Sequence, residues 1–217
     1  MITIPSTEFC GLLGDVMSMA LDHPNFPDLN CVRIHWDGQL LHAQAHDGTH
    51  IAWSRWSADD DPDNDAQESI LDPWGGDDDP WSVIITLADA KLVAKNYKVD
   101  KKSLWTPLTV GETNGNLRIV RNRVPGLMAI TTTVDGQART FPDLAKVLAE
   151  HDRADAVRSI AFTAAQLAHF ADVRARGPLE FTFTGTRGPA LIHIGTRFTD
   201  AITPVRQAAE QGLKAVA

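Results

Sequence analysis

The feature that most constrains this chain is one pattern of secondary structure that occurs three times, roughly 77 to 80 residues apart. Each copy begins with a short β-like run, which ends at a Ser or Thr and is followed by the periodicity of an amphipathic helix. Ser and Thr hydroxyls accept hydrogen bonds from the first turn of a helix, so Ser6, Thr86 and Thr163 are predicted N-caps. Asp89 and Gln166 lie three residues after the second and third of these, as in capping boxes. The three β-like runs are residues 1–4, 82–85 and 159–162.

Three further strand-like runs follow each helix, separated by turn residues such as Asp37-Gly38, Asp47-Gly48 and Asn114-Gly115. The predicted strands are 31–36, 40–45 and 50–56 in unit one, 107–111, 117–121 and 127–134 in unit two, and 179–183, 190–194 and 198–203 in unit three. The unit is therefore β-α-β-β-β. It predicts an α+β fold with helices on one face of antiparallel sheets.

One helix over a few strands leaves sheet edges unpaired, so two units are expected to join into one domain. Units one and two can form a complete domain within residues 1–150, and residues 151–206 form half a domain, with a tail at 207–217. The third unit is expected to lack a partner in its own chain. An uncovered edge promotes aggregation, so the odd number of units predicts self-association.

The net charge of −8 comes from one acidic segment. Residues 57–80 hold ten acidic residues and no Lys or Arg, which leaves 20 basic against 18 acidic residues in the remainder. A segment this acidic, with several Pro and Gly, is predicted to be a solvated loop inserted in the first domain. A DNA mimic and a metal-binding loop are the alternatives for it.

Composition offers little support for an enzyme or a membrane protein. Cys10 and Cys31 are too few for a disulfide framework and have no metal-like spacing. No apolar run approaches the ~20 residues that span a bilayer, and the N-terminus does not resemble a signal peptide. We therefore expect a cytoplasmic protein without a cofactor. A catalytic or metal site at His42, His46, Asp47 and His50 is disfavoured because Asp47-Gly48 is typical of a turn.

Three strings, in the correct order on this repeat, resemble the bacterial DNA polymerase III β sliding clamp. Residues 31–53 resemble a strand pair of its middle domain and the loop that follows, residues 134–148 its VDGxFPDY segment, and residues 178–206 the end of its last domain. No counterpart of the first domain is present. The resemblance implies the clamp fold and a processivity factor that is not an enzyme.

In that family, a pocket between the middle and last domains captures short linear peptides of polymerases and other replication partners. The resemblance places the pocket at residues from three segments of this chain, where an apolar floor would favour a buried Leu or Phe side chain. Arg206 and His50 are expected at its rim. The predicted pocket residues are Gly48, His50, Ile51, Val147, Leu148, Thr203, Pro204, Val205 and Arg206.

The helices of the clamp family line a hole and face double-stranded DNA. Lys91, Lys95 and Lys98 fall on one side of the second helix, and basic residues follow both this helix and the third. Such a stripe can contact phosphates without reading bases, although a solvated lysine face is the common alternative. The predicted DNA-facing residues are Lys91, Lys95, Lys98, Lys101, Lys102, Arg174 and Arg176.

Two functions fit these features. The first is a homo-oligomeric ring that encircles DNA, for which three units per chain, in a family ring of about a dozen units, imply a tetramer. The second is a clamp-derived module that binds partner peptides without forming a ring, as a decoy or coactivator. The oligomeric state discriminates between them.

Overall fold

A computed structural model describes residues 1–58, 75–76, 79–99, 106–122, 126, 128–143, 146, 160–183, 185 and 188–205. Its α-helices are α1 (Ser6–Met17), α2 (Leu87–Tyr97) and α3 (Ala164–Ala168), the last continued by a 3-10 helix at His169–Asp172. None of the helices in the described part of the chain is long and apolar enough to cross a membrane.

The strands follow the predicted units closely. Unit one contains β1 (Ile2–Pro5), β2 (Cys31–Trp36), β3 (Leu41–His46) and β4 (His50–Trp56); β5 (Gly75–Gly76) follows it. Unit two contains β6 (Trp81–Thr86), β7 (Pro107–Thr113), β8 (Asn116–Arg121) and β9 (Ile130–Val134), and unit three contains β10 (Leu179–Phe183), β11 (Ala190–Ile194) and β12 (Phe198–Ile202). The turns form where Gly38, Gly48, Asn114 and Gly115 adopt positive φ.

The strands form two antiparallel sheets, in the orders β5-β1-β7-β8-β9 and β10-β11-β12-β4-β3-β2-β6. Units one and two exchange their first strands, since β1 pairs with β7 of unit two and β6 pairs with β2 of unit one. The helices α1 and α2 pack against each other. Apolar side chains from both units meet in one core, which includes Ile4, Phe9, Val32, Ile85 and Val110.

Unit three is joined to the sheet of unit one, because β12 pairs with β4. One expectation about unit three is wrong, because its first β-like run is not a strand where it is described: residues 160–163 belong to neither sheet. Sequence patterns reveal strands but not which distant edges meet, and these pairings join residues about 150 positions apart.

The helix starts match the predicted caps in two of three cases. Thr86 accepts a hydrogen bond from the amide of Asp89 at 3.1 Å, and Thr163 with Gln166 forms a complete capping box. Ser6 is not an N-cap but the first residue of α1, and its hydroxyl donates to the carbonyl oxygen of Tyr97 instead. The hydroxyl therefore donates to a buried carbonyl near the end of the neighbouring helix and does not accept from a local amide.

The acidic insertion is described only in part. Gly75 and Gly76 form the short edge strand β5 against β1, which the interpretation of 57–80 as one loop did not include. The acidic insertion is followed directly by β6, in which Trp81 pairs with Trp36 of β2. Residues 59–74 and 77–78 lie outside the described residues.

Candidate functional site

The β3–β4 turn is held in shape by one carboxylate. Asp47 Oδ1 accepts hydrogen bonds from the amides of Thr49 and His50, both at 2.7 Å, and from the hydroxyl of Thr49 at 2.8 Å. An Asp side chain that bonds to the backbone two or three residues ahead stabilises a turn locally. Gly48, with φ of 92°, supplies the left-handed conformation that the turn requires.

The C-terminal segment lies beside this turn because β12 is added to the edge of β4. Ile51 is paired with Ala201 and His50 with Ile202, and the amide of Thr203 donates to the carbonyl oxygen of Thr49 at 2.8 Å. The segment is fixed from its other side by α3, where the side-chain amide of Gln166 donates to the carbonyl oxygen of Thr203 at 2.9 Å.

The structure therefore brings together six of the predicted pocket residues, Gly48, His50, Ile51, Thr203, Pro204 and Val205. We call the five other than His50 the turn patch. Gly48, Thr203 and Val205 are exposed, and Ile51 and Pro204 are half-buried, so apolar surface is open to solvent here. Val147, Leu148 and Arg206 lie outside the described residues.

His50 lies beneath the turn patch, and its predicted place at the rim is wrong. Its side chain is fully buried, and Nδ1 lies 2.7 Å from Oδ2 of Asp200, which is also fully buried. The other carboxylate oxygen of Asp200 accepts from the amide of Ile51 at 3.1 Å. The pair thus positions the backbone of a patch residue.

The protonation of this pair differs from that of the free groups. Burial lowers the pKa of His50, but the hydrogen bond and negative charge of Asp200 outweigh it, so that the pKa is raised. Burial raises the pKa of Asp200 by more than the hydrogen bond from His50 lowers it. The pair therefore holds a proton more tightly than the same groups in water.

Five basic residues predicted to face DNA are described, and all five are exposed: Lys91, Lys95, Lys98, Arg174 and Arg176. Lys91 forms an exposed salt bridge of 2.6 Å with Asp22, which is worth little in water and leaves the lysine accessible. Lys101 and Lys102 lie outside the described residues.

Acidic residues on α1 are paired with basic groups of unit three. Asp15 is fully buried and accepts from the hydroxyl of Ser54 at 2.8 Å and from the amide of Arg174 at 2.7 Å. Burial raises its pKa, and the guanidinium of Arg197 opposes that rise. Arg197 also forms a salt bridge with Glu8. The sequence pattern did not reveal Arg197, because its contacts with Glu8 and Asp15 join distant segments.

Within the described residues, no group of three or more His, Cys, Asp or Glu side chains could hold a metal ion. The histidines near the turn have other contacts. His42 lies 2.9 Å from Asp37 and accepts from the indole nitrogen of Trp53 at 2.7 Å, while the ring of His46 packs edge-on against Phe141.

Comparison with known proteins places the fold. A DNA polymerase sliding clamp from Pseudomonas aeruginosa matches 94% of this chain at a TM-score of 0.66 and 13% identity. A sliding clamp from Bacillus subtilis matches 94% at 0.65 and 14% identity, and the DNA polymerase III β subunit from Thermotoga maritima matches 96% at 0.64 and 12% identity. The sequence itself matches no family model and no curated protein.

These matches define the chain as a protein with the DNA sliding clamp fold, in its α+β form with antiparallel sheets. The resemblance to the bacterial DNA polymerase III β clamp predicted from the sequence is confirmed at the level of fold. The chain spans 66% of the length of the Pseudomonas and Thermotoga clamps and 64% of the Bacillus clamp, or about two thirds.

Proposed function

We propose that this protein is a sliding clamp-like processivity factor. It encircles double-stranded DNA as a homo-oligomeric ring and binds short linear peptides of a polymerase or other replication partner. It works in the cytoplasm as a scaffold, without catalysis or a cofactor. Residues 1–150 form its complete clamp-like domain, and residues 151–206 form half of a second one.

The observation that supports this most strongly is the contact between β4 and β12. This contact brings together patch residues from segments about 150 positions apart. The fold in which they meet is similar to that of sliding clamps. Ile51, Pro204 and Val205 offer apolar surface that a Leu or Phe of a peptide would cover, which contributes about 1.5–3 kcal/mol per side chain. The turn itself is fixed by Asp47, so little ordering is needed on binding.

The test is the affinity of the purified protein for a labelled peptide that contains adjacent Leu and Phe residues. Ile51→Ala and Pro204→Ala remove apolar contacts and should each weaken binding by about tenfold, as a loss of about 1.4 kcal/mol predicts. The control is Met128→Ala, since Met128 is 79% exposed and is not a patch residue. Equal affinities for the wild type and both patch variants, or no binding by the wild type, would overturn the peptide site.

The number of subunits is the second part of the proposal. A ring of roughly a dozen units requires four chains of three units each, so we propose a tetramer. Light scattering tests this, since a monomer at micromolar concentration would contradict the ring and favour a peptide-binding module that does not encircle DNA.

A further inference from the structure

Units one and two complete each other by a reciprocal exchange, which shows what unit three lacks. Unit one receives β6 on the edge of β2, where Ile85 lies opposite Val32. Unit two receives β1 on the edge of β7, where Ile4 lies opposite Leu108. The strand that follows the helix thus pairs in both units with the leading strand of the other. In unit three the equivalent strand is β10, which lies at the end of its sheet.

Side-chain exposure at equivalent positions differs between unit three and the other two units. The residue that faces the core at the start of this strand is Val32 in unit one and Leu108 in unit two, and both are 0% exposed. Its equivalent in unit three, Leu179, is 43% exposed. Pro107 precedes Leu108 as Pro178 precedes Leu179, which supports the alignment of the units.

The helices show the same difference. The fourth residue after the N-cap is Phe9 in α1 and Ala90 in α2, exposed by 1% and 0% because these helices pack on each other. The equivalent residue of α3 is Leu167, which is 40% exposed, and α3 buries none of its residues. Unit three has the sequence of a paired unit but, within the described chain, no second helix on this side.

The segment before α3 is already arranged for the exchange. In unit two, the carbonyl oxygen of Ile84, two residues before the N-cap, accepts from the amide of Gln137, three residues after β9. In unit three, the carbonyl oxygen of Ala161, two residues before its N-cap, accepts from the amide of Val205, three residues after β12. One edge of residues 160–163 is therefore held as in β6. Its other edge corresponds to the one that β6 pairs with β2.

We infer that unit three completes a domain with unit three of a second copy of this chain, by mutual exchange of residues 160–163 onto β10. Units one and two of each copy pair with each other. Unit three carries both the leading segment and an edge of β10 that no described strand occupies, so the surface is complementary to itself. The pairing extends the seven-stranded sheet by one strand. It places Phe162 opposite Leu179 and Ile160 opposite Phe181 of the other copy. This inference names the interface of the homo-oligomer proposed above and rests on that proposal.

The first test is the mass of charge variants in solution. Leu167→Glu and Leu179→Glu place a carboxylate in the paired interface and should reduce the mass of the assembly to half or less, while circular dichroism stays unchanged. Leu92→Glu on α2 is the matched control, because Leu92 is 54% exposed and lies outside this surface; it should leave the mass unchanged.

The second test is a disulfide across the interface. The equivalence with β6 and β2 places Ala161 opposite Glu180 of the other copy, in a pair without mutual backbone hydrogen bonds, where side chains are closest. The double variant Ala161→Cys with Glu180→Cys should form a covalent dimer on oxidation, and neither single variant should. Cys10 and Cys31 are buried and provide a low background.

The outcomes separate this interface from the function on which it rests. A reduced mass in both leucine variants, together with the covalent dimer, supports the interface between unit three of one copy and unit three of the other. An oligomeric wild type whose mass neither variant changes, without the covalent dimer, overturns this interface and leaves the ring. A monomeric wild type overturns both.

Discussion

At the scale of single residues, the pair formed by His50 and Asp200 determines the backbone beneath the turn patch. Both side chains are fully buried, and the carboxylate reaches the ring with one oxygen and the amide of Ile51 with the other. A buried charge is costly unless it is paired, so loss of either partner leaves an uncompensated group. Asp47 and His169 are the other titratable groups close to the ring of His50.

This pair predicts a pH dependence of stability. The pKa of His50 is raised in the folded state, so its stabilising contribution is complete below pH of about 6.5 and is lost as the pH rises through the higher folded-state pKa. Asp200→Asn removes the cause of the rise. The difference in unfolding free energy between wild type and variant, measured by urea denaturation, should therefore shrink from pH 6 to pH 9.

The wild type must be compared with the Asp200→Asn variant, because burial also lowers the pKa of His42 and His46. These two histidines give the unfolding free energy the opposite pH dependence, and they do so equally in both proteins. A wild-type advantage that stays constant or grows over this range would contradict the assignment. The sequence could not have predicted this pair, since His50 is near a turn and Asp200 is within a strand 150 positions later.

At the scale of helices and strands, local chemistry explains where α2 begins. Thr86 has extended backbone angles, accepts from the amide of Asp89, and donates its hydroxyl to the carboxylate of the same residue at 2.6 Å. Asp89 also lies in the first turn, where a negative charge interacts favourably with the helix dipole.

Thr86→Ala should therefore lower the unfolding free energy by about 1 kcal/mol, because it removes the acceptor for an amide of the first turn. Thr86→Ser keeps the hydroxyl and is the matched control, and it should recover most of the loss. Chemical denaturation of both variants measures this. Equal losses in the two variants would show that the methyl group, not the cap, is responsible.

Most elements could be predicted from sequence because their signals are local. The bounds of β2, β4, β10 and β11 agree with the predicted runs, since residues typical of turns lie between the strands. The errors arise where a distant neighbour decides. Ser6 has a cap-like sequence but bonds to Tyr97, and residues 160–163 have a strand-like sequence but lie outside both sheets of the chain.

The candidate site was predictable to the same extent. Resemblance located Gly48, Ile51 and residues 203–205, and strand pairing brings them together. It did not reveal that His50 is buried, or that Arg197 forms a salt bridge with Glu8 across the contact of units one and three. These contacts depend on which sheet edges meet, and the pattern within each unit carries no information about that.

At the scale of the whole molecule, the exposed lysines of α2 predict how the proposed ring contacts DNA. Replacement of Lys91, Lys95 and Lys98 with Ala should weaken binding to a DNA duplex and flatten its salt dependence, because each lost phosphate contact lowers the slope by about 0.9. Fluorescence anisotropy over a series of salt concentrations measures both.

The matched control replaces three arginines that lie at outward-facing positions of strands. Arg33, Arg55 and Arg118 alternate with buried residues of β2, β4 and β8, so they point away from the core and the helices. Their replacement with Ala changes the net charge equally and should leave the salt slope almost unchanged. The same loss of slope in both triple variants would mean that overall charge, and not this helix, governs the attraction to DNA.

The pairing proposed at the edge of β10 has a consequence for loading onto DNA. In the proposed tetrameric ring, a facing pair of unit-three modules would be related by a half-turn about an axis in the plane of the ring, and that half-turn would convert one side of the ring into the other. Such a ring would have no front and no back, and half of its turn patches would open on each side. It would thread onto a duplex in either orientation and would present a docking point to a polymerase travelling in either direction.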